Sequence, residues 1–221
     1  MPPLDSTDIA ARHRVVWWSP SQPRALLICA DGDGAAAWTM QIADADLPVA
    51  VIGIESGGLQ FPDTRVRSAY RPEDDPRARA YLPRVDPDYF RAHLDYVMNT
   101  VLPWADGRIS RTLPRITFGF SNGAVWAASA AAARPSEFAA VIAFSMGAAP
   151  GQEDLGHLPH ALAAGKREAP FLQITTAYAA ALRRAGVPLR LRTPDRGHEY
   201  DMWAAEFRPA LRWVLDQLRI S

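Results

Sequence analysis

One cysteine, Cys29, stands in 221 residues, so the chain can form no intramolecular disulfide and no cysteine cluster for a metal. Lysine is almost missing too: Lys166 is alone, and every other cation is arginine. Net charge is zero, with 24 basic against 24 acidic residues interleaved along the chain. No basic stripe or polybasic run marks a nucleic-acid or membrane-surface partner. No apolar run is long enough to span a bilayer, and the segment 1–19 carries Asp5, Asp8 and two prolines where a secretory signal needs an apolar core. These absences predict a cytoplasmic globular protein. With 48% hydrophobic and 22% charged residues, its length suits a single domain over 1–221 with a substantial core.

What is present is a rhythm. Apolar runs of strand length fall at 14–18, 25–30, 48–54, 115–120, 140–145, 160–164 and 189–193, and helical segments fit 35–45, 88–102, 123–133, 171–185 and 199–219. Continuous apolar strands separated by helices predict an α/β fold with a mostly parallel central sheet and helices on both faces. Cys29 ends the run Ala25-Leu26-Leu27-Ile28 and reads as a buried strand thiol. The stretch 55–87, rich in Pro, Arg and Asp, breaks the rhythm and reads as a long loop, a candidate pocket wall or lid.

The segment Gly119-Phe120-Ser121-Asn122-Gly123 carries the chemistry. It spells G-x-S-x-G between the apolar run ending at Phe118 and the alanine-rich run Ala124 to Ala133, which is the strand, sharp turn and helix of a nucleophile elbow. A serine hydroxyl needs a base with a pKa near the working pH, and histidine supplies it. The candidates after Ser121 are His157, His160 and His198. His157 lies in a Pro/Gly loop and His160 opens a strand, whereas His198 follows Gly197 between the last strand and the last helix, where such a base belongs.

The acid that orients the imidazole should leave the sheet between Ser121 and His198. Glu168 is the first carboxylate after Ala163-Ala164-Gly165, with Glu153 and Asp154 as the earlier alternatives; Asp195 is too near His198 in sequence to reach its far ring nitrogen. An oxyanion needs backbone donors, one expected from Asn122 and one from the loop Asp31-Gly32-Asp33-Gly34, near Asp33. The carboxylates of that loop would oppose an oxyanion unless they point away, and the loop lacks the further oxygen ligands of a calcium site. Trp38, Tyr200 and Trp203 flank these motifs as candidate substrate-binding aromatics. Trp126 reads more readily as helix packing.

With these residues in place, the chain resembles the esterase D and enterochelin esterase-like branch of the α/β-hydrolase superfamily from about residue 14 to 218. The similar stretches are Ala30-Asp31-Gly32 before Trp38, the run 51–58, Tyr81-Leu82-Pro83, Phe90 to Trp104, the elbow, Ala163 to Glu168, and Gly197-His198-Glu199-Tyr200 with Trp203. The resemblance implies a Ser121-Glu168-His198 triad hydrolysing a small-molecule carboxylic ester through an acyl-enzyme, without cofactor or metal. It also leaves an acyltransferase open, and from another class a non-catalytic binding protein on the same fold. The chain starts almost at the predicted sheet, without room for the N-terminal sandwich domain of enterochelin esterases, which points away from a siderophore substrate. The tryptophan-bearing last helix is a candidate homodimer contact, although burial within one chain explains its tryptophans equally well.

Overall fold

In the computed structural model of the chain, which describes residues 5–10, 13–54, 71–150 and 157–220, the apolar runs form one eight-stranded sheet. The strands are β1 (Asp5–Ala10), β2 (His13–Trp18), β3 (Ala25–Ala30), β4 (Val49–Ile54), β5 (Arg115–Phe120), β6 (Ala140–Phe144), β7 (His160–Ala163) and β8 (Leu189–Arg192). Their order is β1-β2-β4-β3-β5-β6-β7-β8. From β4 to β8 all neighbours are parallel, while β2 pairs antiparallel with β4 and β1 antiparallel with β2.

Parallel neighbours need crossovers, and helices on both faces supply them. They are α1 (Ala35–Asp44), α2 (Pro76–Tyr81), α3 (Pro87–Tyr96), α4 (Leu102–Ile109), α5 (Asn122–Ala133), α6 (Ala169–Arg184) and α7 (Tyr200–Gln217). Both faces being covered, every residue of β3 and β4 is buried, and the two-residue period sorts them between two cores. Leu26 and Ile28 join Leu94, Trp126 and Leu182 beneath α3, α5 and α6. Leu27 and Cys29 join Trp38, Phe207 and Leu211 beneath α1 and α7. Each fully buried side chain of this size contributes roughly 1.5–3 kcal/mol of transfer free energy. Burial also raises the Cys29 thiol pKa far out of its ordinary range, with the nearby Asp31 charge adding to the effect, so the thiol is an inert core group.

Three elements depart from the sequence reading. Strand β1 was not expected, because Asp5-Ser6-Thr7-Asp8-Ile9-Ala10 has no apolar run; it is an edge strand recruited by pairing with β2. The helix expected over 88–102 continues past Pro103 to Ile109. A π-helical turn over Val97–Val101 intervenes, and Pro103 falls in the first turn of α4 directly after it. The loop expected over 55–87 is partly helical. Asp75 accepts from the Arg77 N–H and Pro76 opens α2, while 55–70 lie outside the described residues. Among the described residues no helix is long and apolar enough to cross a membrane.

Strand order reverses across β3, whose neighbours β4 and β5 run away on opposite sides. In such sheets the crevice beyond the carboxyl ends of the strands is where ligands bind. Asp31, Ser121, Ser145, Gly165 and the loop to His198 all lie at that edge, following β3, β5, β6, β7 and β8.

Candidate active site

Ser121 joins β5 directly to α5 at φ 55° and ψ −125°, a conformation that a non-glycine residue holds only under constraint. The constraint is visible on both sides. The Ser121 N–H donates to Phe144 O at 2.9 Å, tying the turn to β6. Across the turn, a Cβ on Gly119 would stand 2.2 Å from Gly123 O, so only glycine permits a turn this tight. The serine hydroxyl is thereby lifted beyond the strand ends.

His198 lies between that hydroxyl and a buried carboxylate. Its Nε2 is 3.2 Å from Ser121 Oγ, and its Nδ1 is 2.6 Å from Glu168 Oε2. A carboxylate can only accept, so Nδ1 carries the proton and Nε2 is left to accept from serine. The ring is fixed from two directions, with Phe171 stacked at 4.0 Å and Trp203 edge-on at 4.9 Å.

Glu168 is 5% exposed, and a buried carboxylate must be satisfied by donors. Its Oε1 accepts from Ser145 Oγ at 2.6 Å and from the Gly165 N–H. The Ser145 hydroxyl in turn accepts from Trp203 Nε1 at 2.8 Å, which leaves its proton aimed at Glu168. Trp203 is itself stacked on Phe120, the residue before the serine, at 4.3 Å. The turn holding Glu168 and the loop holding His198 interlock: Lys166 and Arg167 donate to Pro194 O and Arg196 O at 2.8 and 2.9 Å. A Cβ on Gly165 would stand 2.2 Å from Arg196 O.

On the other side of the serine, Asn122 opens α5, where first-turn N–H groups have no helical acceptor. The loop after β3 comes against it: a Cβ on Gly123 would stand 3.0 Å from Asp31 Oδ2. Asp33 sits within the 3₁₀ turn Gly32–Gly34 of that loop. The loop's negative charge has an answer that sequence reading did not find. Asp31 is bidentate to Arg77 (Nε–Oδ1 2.5 Å, Nη2–Oδ2 2.7 Å), and its backbone N–H donates to Tyr81 Oη at 2.8 Å. Burial alone would lower the Arg77 pKa, but the hydrogen bonds and charge of Asp31 more than offset it and hold the guanidinium protonated.

Of the residues expected from sequence, Ser121, His198 and Glu168 are brought into one contact series, Asn122 follows the serine, and Asp31 of the loop that contains Asp33 comes against Gly123. The three aromatics expected beside the site differ in exposure. Trp38 is fully buried, edge-on to Phe118 and close to Phe207 and Tyr200. Trp203 is 7% exposed and braces His198 and Ser145 from below. Tyr200 is the exposed one, at 44%, at the start of α7. Trp126 is buried, as expected. His160 is buried and bonded to Leu158 O and Tyr178, His157 is exposed, Asp195 pairs with Arg167, and Glu153 and Asp154 lie outside the described residues. Sequence reading missed Ser145, Phe171 and Arg77, none of which stands in a motif.

The model of the protein family described as "Putative esterase" matches residues 14–214. The chain belongs to this family. Solved structures similar to it include the enterochelin esterase of Shigella flexneri, at 18% identity and a TM-score of 0.75 over 99% of this chain and 60% of that one. An S-formylglutathione hydrolase from Agrobacterium tumefaciens matches at 16% identity and a TM-score of 0.68, over 96% of this chain and 94% of that one. An IroE-like serine hydrolase from Shewanella oneidensis matches at 13% identity and 0.65, over 93% and 80%. These likenesses establish the α/β-hydrolase fold of this family member, which spans about three fifths of the enterochelin esterase it matches. A search of curated proteins returned no match. Among the described residues, no group of three His, Cys, Asp or Glu side chains is placed to hold a metal ion.

Proposed function

We propose that the protein hydrolyses a small-molecule carboxylic ester through an acyl-enzyme on Ser121. The observation that carries this reading is the continuous series Ser121 Oγ, His198 Nε2, His198 Nδ1, Glu168 Oε2, at 3.2 and 2.6 Å across its two hydrogen-bonded steps. Ser121 Oγ attacks the ester carbonyl and gives its proton to His198 Nε2, and Glu168 stabilises the imidazolium without taking a proton. The carbonyl oxygen becomes an oxyanion held by the Asn122 N–H and a backbone N–H of the Gly32–Gly34 turn at Asp33. The C–O bond to the alcohol breaks, and the alcohol leaves with the proton from His198. Water then attacks the acyl-enzyme with His198 as base, and the acid is released as Ser121 recovers its proton. No step uses a redox or metal cofactor. The single buried cysteine fits a cytoplasmic setting.

The test is fluorophosphonate labelling mapped by mass spectrometry, with p-nitrophenyl butyrate turnover measured alongside. The expected result is a Ser121 adduct that forms rapidly in the wild type and is lost in His198→Ala. Turnover in Ser121→Ala should fall by about 10⁴-fold or more. A folded wild type that neither labels nor turns over would overturn the reading.

A further inference from the structure

Beside the candidate triad lies a cleft of about 280 Å³, walled by the turn Gly147 to Ala149 after β6 and by Ile174, Ala177 and Tyr178 of α6, with Arg84 at its mouth. It adjoins the reacting groups. A methyl on Gly147 would stand 3.5 Å from Phe171, which stacks on His198, and 4.0 Å from the side-chain Oδ1 of Asn122. Gly147 thus stands both in the wall of this cleft and against Phe171 and Asn122, the neighbours of His198 and Ser121.

Among the described residues, the lining has one charge without an ion-pair partner. Between residues 77 and 86 three arginines follow one another, and two are committed: Arg77 to Asp31 and Arg79 to Asp86. Arg84 is exposed and makes no ion pair among the described residues. The walls opposite it are glycine, alanine, isoleucine and tyrosine. The tyrosine supplies no competing donor. Burial pushes the His160 pKa down to about 4, so the ring is neutral; its Nδ1–H donates to Leu158 O at 2.7 Å, and its Nε2 accepts from Tyr178 Oη at 3.1 Å. The Tyr178 proton is thus used inside the protein, and among the described side chains of the lining Arg84 is the charged donor an anion would meet. Apolar walls with one placed charge are the pattern by which small-molecule sites select a ligand by its far end.

We propose that this cleft selects esters that carry a carboxylate at the end of a short apolar arm, the arm lying against Ile174 and Ala177 and the carboxylate pairing with the Arg84 guanidinium. The inference rests on Ser121 being the reacting group. The arm can belong to the acid or the alcohol half of the ester, and the test separates the two.

The experiment uses Ser121→Ala, which binds without turnover, and titrates three ligands calorimetrically. Monobutyl glutarate carries the carboxylate on the acid side, 4-acetoxybutanoate carries it on the alcohol side, and butyl pentanoate is the uncharged counterpart of the first. At least one acid should bind more tightly than butyl pentanoate. Adding Arg84→Gln should weaken that acid about tenfold while moving butyl pentanoate by less than about twofold, since a hydrogen bond to a charged group is lost only for the acid. The preferred acid identifies the half of the ester that enters the cleft. Acids that bind no better than butyl pentanoate, or that ignore Arg84→Gln, overturn the proposal. Failure of the esterase reading looks different: wild type that takes no fluorophosphonate and cleaves no neutral ester, with Arg84-dependent binding intact.

Discussion

The indole N–H of Trp203 points at the hydroxyl of Ser145, 2.8 Å away, and so decides where the serine proton goes. With that acceptor site occupied, Ser145 donates to Glu168, the carboxylate bonded to His198. Trp203→Phe keeps the stacking and removes only the donor; Ser145→Ala removes the hydroxyl. We expect Ser145→Ala to lower kcat about tenfold with KM little changed, the worth of one hydrogen bond to a charged group. Trp203→Phe should cost less, and the double variant no more than Ser145→Ala alone. Additive losses in this double-mutant cycle would show that the two residues act separately.

Asp31 is buried and pairs with the half-buried Arg77 beside the first turn of α5. Removing one partner strands a charge in the interior, whereas removing both leaves none. Arg77→Leu is expected to destabilise the protein by about 3 kcal/mol, and Asp31→Asn combined with Arg77→Leu to recover most of that. Urea denaturation measures both. Esterase turnover should follow the same order, because an unpaired Asp31 carboxylate near Asn122 opposes an oxyanion there. Equal stability of the single and double variants would rule out charge compensation as the role of Arg77.

His160 sets a pH dependence of stability with a definite sign. Burial lowers its pKa in the fold from 6.5 to about 4, so between those values the unfolded chain binds a proton that the native chain does not. Stability therefore falls as pH drops from 6.5 to about 4, by up to about 3 kcal/mol from this residue, and changes no further from this source below pH 4. Replacing His160 by glutamine should flatten this window. Melting curves for both proteins from pH 4 to 7 give the comparison, and parallel curves would assign the acid sensitivity elsewhere.

Gly165→Ala places a methyl where Arg196 O already stands, 2.2 Å away. Backbone cannot yield as a side-chain tip does, so the turns carrying Glu168 and His198 must separate. The expected outcome is a loss of turnover of about 100-fold or more, from misplacement of about 1 Å, with a lowered melting temperature. Wild-type turnover in this variant would mean that the two turns tolerate independent movement.

Sequence pattern revealed those parts of this molecule that are governed by local rules. The parallel strands were legible because both faces are buried, which writes them as unbroken apolar runs such as Val49 to Ile54. Ser121 was legible because the elbow demands Gly119 on its near side. His198 and Glu168 were legible from their place in the order of strands and turns. What escaped notice depends on distance across the fold. Ser145 looks like any residue ending a strand until Glu168 and Trp203 are brought to it, and Arg77 is one arginine among 23 until Asp31 meets it. The exposure of the aromatics was hidden for a related reason. Trp38 and Trp203 stand next to the motifs in sequence, but helical periodicity turns Trp38 and Trp203 inward and leaves Tyr200 outside.

The interlocked turns after β7 and β8 also bear on how this site could be moved. Lys166 and Arg167 are stitched to Pro194 and Arg196 by main-chain hydrogen bonds, and Arg167 pairs with Asp195 across the same seam. Glu168 and His198 thus travel on a single rigid clip, while Ser121 is delivered separately by the strand–helix elbow. A designer transplanting this chemistry to another scaffold would have two pieces to align, the clip and the elbow. Any graft that borrowed one turn of the clip without the other would lose the hydrogen bond between Glu168 and His198.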